Sequence, residues 1–477
     1  MQANATHPIS DSSKQSINRT FWRYAIPSVA AMLVNGFYQI VDGIFIGQYV
    51  GYEGLAGINM AWPIIYIFAG IGLMIGMGSG SLLSINRGQE QASSSTNKGT
   101  LAQSLKTNHT LATAAVLILG FGLLGSLVLF MSGTSLLLAQ GGTGNTLILA
   151  QQYLAPFSWS VTFTILASAI PILIRNDESP NLATGLMVMG ACLNILLDYI
   201  FIVQLDMALH GAAIATVAAQ IAVASCGVIY FLSSFTKMKV SNLTLNFANM
   251  RFDIKLARQI LLLGSSSFVM YLYTSFVFAL HNRLFMEYGS PVTVGAFAIV
   301  GYLMVLYYFV AEGLGEGMQP PVSYFFGAKQ TENIKKVLVL ATKVTITAGI
   351  AWLLILNLFP STIIGLFNAE DTSLIQEATS GIRLHLFAMF LDGYLVLAIM
   401  FFMAVNQGKK ALGISIGNML IQLPFLYFLP PWLGVEGVWL AMPISNVLMF
   451  MIVAPMVWHH LRADKNREVN QFLDSRL

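Results

Sequence analysis

Asp42, Asp198, Glu312, Glu316 and Asp392 stand within stretches otherwise suited to hydrocarbon, and they are the residues of this sequence most able to do chemistry. An ionised carboxylate at a bilayer centre costs at least about 2.5 to 3.5 kcal/mol on insertion scales, so each must be protonated, solvated or partnered. Asp198 follows Asn194 by one helical turn, which projects both side chains from one face. A carboxylate beside an amide carbonyl can hold a proton or a sodium ion, although an Asp198 near the headgroups would simply be solvated. Asp42 lies in the run Gln39-Ile40-Val41-Asp42-Gly43, fifteen residues after Pro27. Pro27 interrupts the helical ladder and makes either a hinge or a static kink. At 1.5 Å per residue it lies roughly 22 Å from the Asp42 carboxylate, so any coupling between them must run through the helix itself. Glu312 and Glu316 form an i, i+4 pair in a glycine-rich segment, and Asp392 stands alone; function and interhelical hydrogen bonding are both open for them. His281 and Arg283 are placed to neutralise an acid that the sequence does not identify.

The elements that hold these residues must be membrane helices. Of 477 residues, 56% are apolar and 9% charged, where a soluble domain carries about 25% charged residues. No stretch between the apolar runs is long or polar enough to build a soluble domain. The net charge of +3 is spread over short loops and reflects topology, not nucleic-acid binding. Cys192 and Cys226 fall in apolar runs and read as small buried hydrophobes without a disulfide. Residues 1 to 18 are polar and lack a signal-peptide core, so the first helix is expected to be retained. The 23 methionines and the aromatics could line an adaptable pocket, but in a membrane protein they more often face lipid or core.

Stretches of about 20 apolar residues can cross the hydrocarbon, and twelve can be drawn: 20–49, 55–86, 109–136, 147–174, 182–204, 211–234, 257–286, 292–326, 337–360, 376–404, 411–433 and 436–460. The 24 basic residues, all but Arg283, Lys343 and Arg383, fall in the tails and the even-numbered loops. The opposite loops carry acids such as Glu53, Asp206 and Glu436. Cytoplasmic loops collect Lys and Arg, so both termini are expected in the cytoplasm of a cell whose inner membrane holds the chain. The three exceptions read as snorkelling side chains near span ends.

The chain also looks duplicated. Gly76, Gly78, Ser84, Gly88 and Gln91 match Gly315, Gly317, Ser323, Gly327 and Gln330 at a constant spacing, and Asn194 and Gly211 find counterparts in Asn418 and Gly437. Six spans per half is even, so the halves share orientation and substrate is expected between them. The expectation is an all-α membrane protein of twelve transmembrane helices in two six-helix bundles. The boundaries are a tail to residue 19, an N-lobe over 20–236, a basic linker over 237–256, a C-lobe over 257–460 and a tail from 461.

Taken together, these features resemble the multidrug and toxic compound extrusion (MATE) family over nearly the whole chain, with its DNA-damage-inducible-F-like branch the nearest in pattern. The carrying residues are Pro27 with Asp42, Asn194 with Asp198, the six-plus-six repeat and the turn Arg175-Asn176-Asp177. The resemblance implies a cation-coupled antiporter that exports drugs and other small amphipathic or cationic compounds by alternating access, as a monomer and without a cofactor. It implies a proton, or alternatively sodium, held by Asp42, Asn194, Asp198 and Thr216, with Tyr153 as a further lining residue and Pro27 as hinge. A sister branch uses a C-lobe glutamate in helix seven and an aspartate in helix ten; here Thr274 stands near the first place and Asp392 about one turn from the second, which favours the N-lobe site. Two rival readings are a lipid-linked oligosaccharide flippase of the same superfamily, which would want basic residues in its cavity, and a channel. An ATP-driven pump or a metalloenzyme is excluded by the lack of a phosphate-binding G-x-x-x-x-G-K-[ST] loop and of H-E-x-x-H.

Overall fold

The computed structural model describes residues 17–93, 97–140, 142–235, 241, 249–367 and 371–474; most of the expected linker lies outside them. All regular structure among these residues is helical: α1 (Ile17–Tyr49), α2 (Tyr52–Ser93), α3 (Asn97–Ala139), α4 (Gly144–Asn176), α5 (Pro180–Asp198), α6 (Ala208–Leu232), α7 (Ile254–Tyr288), α8 (Pro291–Gly327), α9 (Thr331–Leu358), α10 (Pro360–Gly365), α11 (Thr372–His385), α12 (Met389–Ala404), α13 (Gly408–Leu433) and α14 (Val435–Asp474). Ten of the described helices are long and apolar enough to cross a membrane, and α11 with α12, bent by 50° at their junction, is long and apolar enough as a pair. With α7 in the seventh place, every expected span finds its helix. Two departures are local: the tenth span breaks around residues 386–388, and the ninth stops at Leu358, followed by the separate short α10.

Helix ends follow from single residues. Gly51 takes φ +87° between α1 and α2, a conformation that costs a side chain dearly and glycine little. Asp371 caps α11 by accepting hydrogen bonds from the amides of Ser373 and Leu374, both at 3.0 Å. Beyond Asp198, α5 widens into a π-helical turn, Tyr199–Gln204.

The described residues form two compact units. One comprises Ala30–Leu272; the other holds residues 17–29 together with the chain from Tyr273 onward. Each division therefore falls inside a helix, within α1 and within α7.

In the first unit, Gly72, Gly76 and Gly80 form a small-residue stripe on α2 that lets α4 approach closely. A Cβ at these positions would stand 2.6 Å from the Ile165 carbonyl oxygen, 2.9 Å from Ala169 Cα and 2.6 Å from Asn176 Nδ2, respectively. Gly78, on another side of α2, lies against the backbone of Ile260 at the start of α7.

The second unit repeats this arrangement. Gly315 meets Met400 on α12, while a Cβ on Gly317 would stand 2.6 Å from Ala25 Cα on the first turns of α1. The matched glycines of the repeat thus do matched work. The apolar core of this unit gathers Phe285, Phe297, Leu356, Ile382 and Trp439.

Three side chains differ from their expected settings. Cys192 is exposed on α5, because a helix without a dominant apolar stripe gives no signal of which face turns inward; it and the half-buried Cys226 are both free. Arg87 and Arg175, counted among loop cations, are only 8% and 1% exposed. Arg87 is buried because it pairs with Asp177 and donates to the Asn176 carbonyl at 3.1 Å. Asp177 Oδ2 also accepts from the Tyr230 hydroxyl at 2.6 Å and the Ser241 hydroxyl at 2.7 Å. Ser84 donates to Asn176 Oδ1 at 2.7 Å. The turn after α4 is thereby fastened to α2, to α6 and to the one described residue of the linker's middle.

Candidate functional site

Within the first unit, α1, α4, α5 and α6 bring together the residues that sequence reading singled out. Asp42 is 5% exposed, Asn194 2% and Asp198 0%, so the solvated alternative for Asp198 does not apply. Asn194 donates through Nδ2 to the Thr216 hydroxyl at 3.3 Å, and that hydroxyl donates to the Ala212 carbonyl at 3.1 Å. The bond sets the amide's orientation: with its nitrogen on Thr216, the Asn194 oxygen is left facing away from that hydroxyl. Asp42 and Asp198 stand near enough for a charge on one to be felt by the other, and Tyr38 is near both. Tyr153, 2% exposed, lies beside Asp42, Trp62 and Thr216.

The buried acceptors of the cluster are short of donors, as are Asp392 Oδ1, Asn418 Oδ1 and Gln422 Oε1 in the second unit. Asp42 Oδ1, Asn194 Oδ1 and both carboxylate oxygens of Asp198 are buried without a hydrogen-bond partner among the described residues. Buried polar atoms are normally paired, and leaving one unpaired costs about 1 to 3 kcal/mol, more for a charged group. Every one of these four atoms is an acceptor. Such a set can be satisfied by a proton, a small cation or water.

Sequence reading missed the aromatic side chains around this cluster. Tyr38 stands one turn before Asp42 on α1, and Trp62 and Tyr66 stack at 6.0 Å on α2. Tyr66 lies close enough to Asp42 to interact with it, and meets Tyr271 edge-on at 5.4 Å. The i, i+4 spacings of Tyr38 with Asp42 and of Trp62 with Tyr66 were the available signals, hidden by the abundance of aromatics.

The second-tier residues all lie in the second unit. Asp392 is 3% exposed on α12 and faces Asn418 on α13, with Tyr273, Tyr307 and Tyr308 around it. Asn418 is the repeat counterpart of Asn194, and Gln422 stands where Asp198 would recur one turn later. Glu316 is buried and Glu312 half-buried on α8. His281 is packed among Phe285, Phe297 and His385, its Nδ1 bonded to the Val277 carbonyl at 2.9 Å; Arg283 is exposed. Neither makes an ion pair with a described carboxylate. Pro27 sits inside α1, two residues before the division between the units. Among the described residues no group of three or more His, Cys, Asp or Glu side chains could hold a metal ion.

Comparison with known proteins gives a consistent result. The MatE family profile matches residues 27–200 and 266–428. The multidrug export protein MepA of Staphylococcus aureus strain N315 is 24% identical over 448 residues, covering 93% of this chain and 94% of its own. The MepA of Staphylococcus saprophyticus is 24% identical over 460 residues, covering 95% and 96%. Among solved structures, an outward-facing conformation of a multidrug resistance MATE transporter superposes with TM-score 0.87 at 19% identity, covering 98% of this chain and 99% of the other. A transporter of the wider superfamily from Pyrococcus furiosus superposes with TM-score 0.86 at 20% identity and similar coverage.

Proposed function

Because the chain belongs to the MatE family, whose members are membrane transporters and not enzymes, we propose that it exports small amphipathic or cationic organic compounds by alternating access, driven by cations that enter against them. Export of drugs is what the names of its relatives state for those proteins. One observation supports the coupling role most: four buried acceptor oxygens on Asp42, Asn194 and Asp198, all in the first unit, have no hydrogen-bond partner among the described residues. Thr216 orients the amide, Tyr153 lines the chamber, and Pro27 is the hinge through which loading of Asp42 reaches the far half of α1. The coupling ion is a proton in this reading, since two carboxyl groups can each take one, with sodium the alternative ligand for the same oxygens. The chain acts as a monomer in the inner membrane with both termini in the cytoplasm, and its two halves are the N-lobe and C-lobe of the repeat.

The chamber acids have no basic partner among the described residues, which favours the exporter over a flippase for anionic lipid-linked sugars. The test is efflux in cells. Asp42→Asn keeps the side chain's size and removes its titration, so it is expected to reduce export of a fluorescent dye to the level of cells lacking the protein. Export at the wild-type rate, at matched expression, would refute the role of Asp42.

A further inference from the structure

At the end of the second unit where α9 begins and α14 continues past its apolar stretch, several cations make no ion pair with any acid whose side chain is described. Lys335 on α9 and Arg462 on α14 both stand over the indole of Trp458, with Nζ 6.0 Å and Cζ 4.9 Å from the ring centre. Lys410 on α13 stands 5.3 Å over Phe402, whose ring lies 5.6 Å from that of His460, two residues beyond Trp458. No described carboxylate pairs with Lys335, Lys410 or Arg462. The positive charge comes from three helices and is fixed over aromatic faces, where the ring quadrupole holds it.

Trp458 is 51% exposed, although a large indole is usually well buried. On the same helix Leu448, Met451 and Ile452 are also exposed, and their spacing puts them on one face below the indole. An apolar stripe, then an indole, then Arg462 follow one another along α14, with Lys335 brought to the same indole from α9. That order is the order of a phospholipid: acyl chain, glycerol region, phosphate. Indole rings favour the glycerol level, and basic crevices between helices favour anionic headgroups.

We propose that Lys335, Arg462 and Trp458, with Lys410 extending the positive face, bind the headgroup of an anionic phospholipid whose acyl chain lies along Leu448, Met451 and Ile452. A zwitterionic choline headgroup carries its own cation into the same crevice and is disfavoured by repulsion. The inference is independent of the transport reading, since it concerns lipid held at rest.

The experiment uses the full chain in lipid nanodiscs containing phosphatidylglycerol or phosphatidylcholine with brominated acyl chains, which quench a nearby indole. The signal of Trp458 is obtained as the difference between the intact protein and Trp458→Phe. Brominated phosphatidylglycerol is expected to quench it at a mole fraction about five-fold lower than brominated phosphatidylcholine for each cation engaged, the equivalent of about 1 kcal/mol apiece. The double change Lys335→Gln and Arg462→Gln, at exposed positions, is expected to bring the two lipids to the same midpoint. Equal midpoints in the intact protein would overturn the proposal without recourse to any charge variant. A shift of the Trp458 signal by inorganic phosphate in phosphatidylcholine discs would overturn it too, by identifying a free-anion site instead.

Discussion

The side chains of the first-unit chamber are defined by what they lack. Asp42 and Asp198 sit among tyrosines and a tryptophan with acceptor oxygens aimed at no donor, so any occupant must be electron-poor. Thr216 acts one step away, through Asn194: its hydroxyl takes the amide nitrogen at 3.3 Å and leaves the amide oxygen for the occupant. Thr216→Ala frees that amide to rotate and removes one neutral hydrogen bond, worth about 0.5 to 1.5 kcal/mol. The expected result is coupling-ion affinity weakened by about tenfold or less, with folding intact. Transport rate measured against ion concentration would show this as a shifted midpoint and an unchanged plateau. A variant that loses the plateau as well would mean that Thr216 does more than orient the amide. Of these residues, Asp42, Asn194 and Asp198 were legible from sequence because polar groups in apolar helices are expensive and so conspicuous. Tyr38, Trp62 and Tyr66 were not, because an aromatic ring is equally at home in lipid, core or cavity wall.

At the scale of helices, length and apolar content revealed the spans, and the sites of bending were less visible. The break around residues 386–388 has no proline or glycine to announce it, whereas Pro27 announces itself. The division between the units falls just after Pro27, between Val29 and Ala30, which supports its reading as a hinge. Pro27→Ala restores the helix's missing hydrogen bond and is expected to slow dye export while leaving the unfolding temperature unchanged or raised. Unchanged export would leave Pro27 a static kink. The turn after α4 presents the opposite case, a fastening in place of a joint. Asp177 ties Arg87, Tyr230 and Ser241 together in a buried cluster, and its loss leaves the buried Arg87 with only Glu178, at 3.9 Å, to balance its charge. Asp177→Asn is therefore expected to destabilise the protein by about 3 to 5 kcal/mol, read as a lowered midpoint in thermal unfolding monitored by detergent-solubilised fluorescence. A midpoint within error of wild type would show that Arg87 finds other compensation. Sequence reading took Arg87 and Arg175 for solvated loop charges because a basic residue beside a span end is usually just that; only the fold buries both and brings Asp177 to meet Arg87.

For the whole molecule, the repeat is kept in packing and altered in chemistry. Gly78 and Gly317 receive a helix in equivalent ways, yet the acid at position 198 recurs as Gln422 in the second half. Asp42 and Asp198 therefore stand together in the first unit, whereas the second sets Asp392 beside Asn418 with Glu312 near the same Tyr308, an imbalance that duplication alone would not produce. The energetics give this imbalance a use. One proton moving down 100 mV releases about 2.3 kcal/mol, more than the roughly 1.4 kcal/mol needed for each tenfold gradient of a neutral compound. A singly cationic compound exchanged for one proton gains nothing from voltage, so its export draws on voltage only when a second charge enters. Asp42 and Asp198 can supply two. Proteoliposomes loaded with a cationic dye should therefore release it when a proton gradient is imposed from outside, and faster when the membrane is also made negative inside. An imposed sodium gradient at fixed pH should give no release. If sodium alone drives export, the four oxygens are a sodium site and the proton reading fails. If the proton gradient drives it with no effect of voltage, the exchange is one for one, and Asp198 serves to shape the chamber for Asp42 and carries no charge of its own across the membrane.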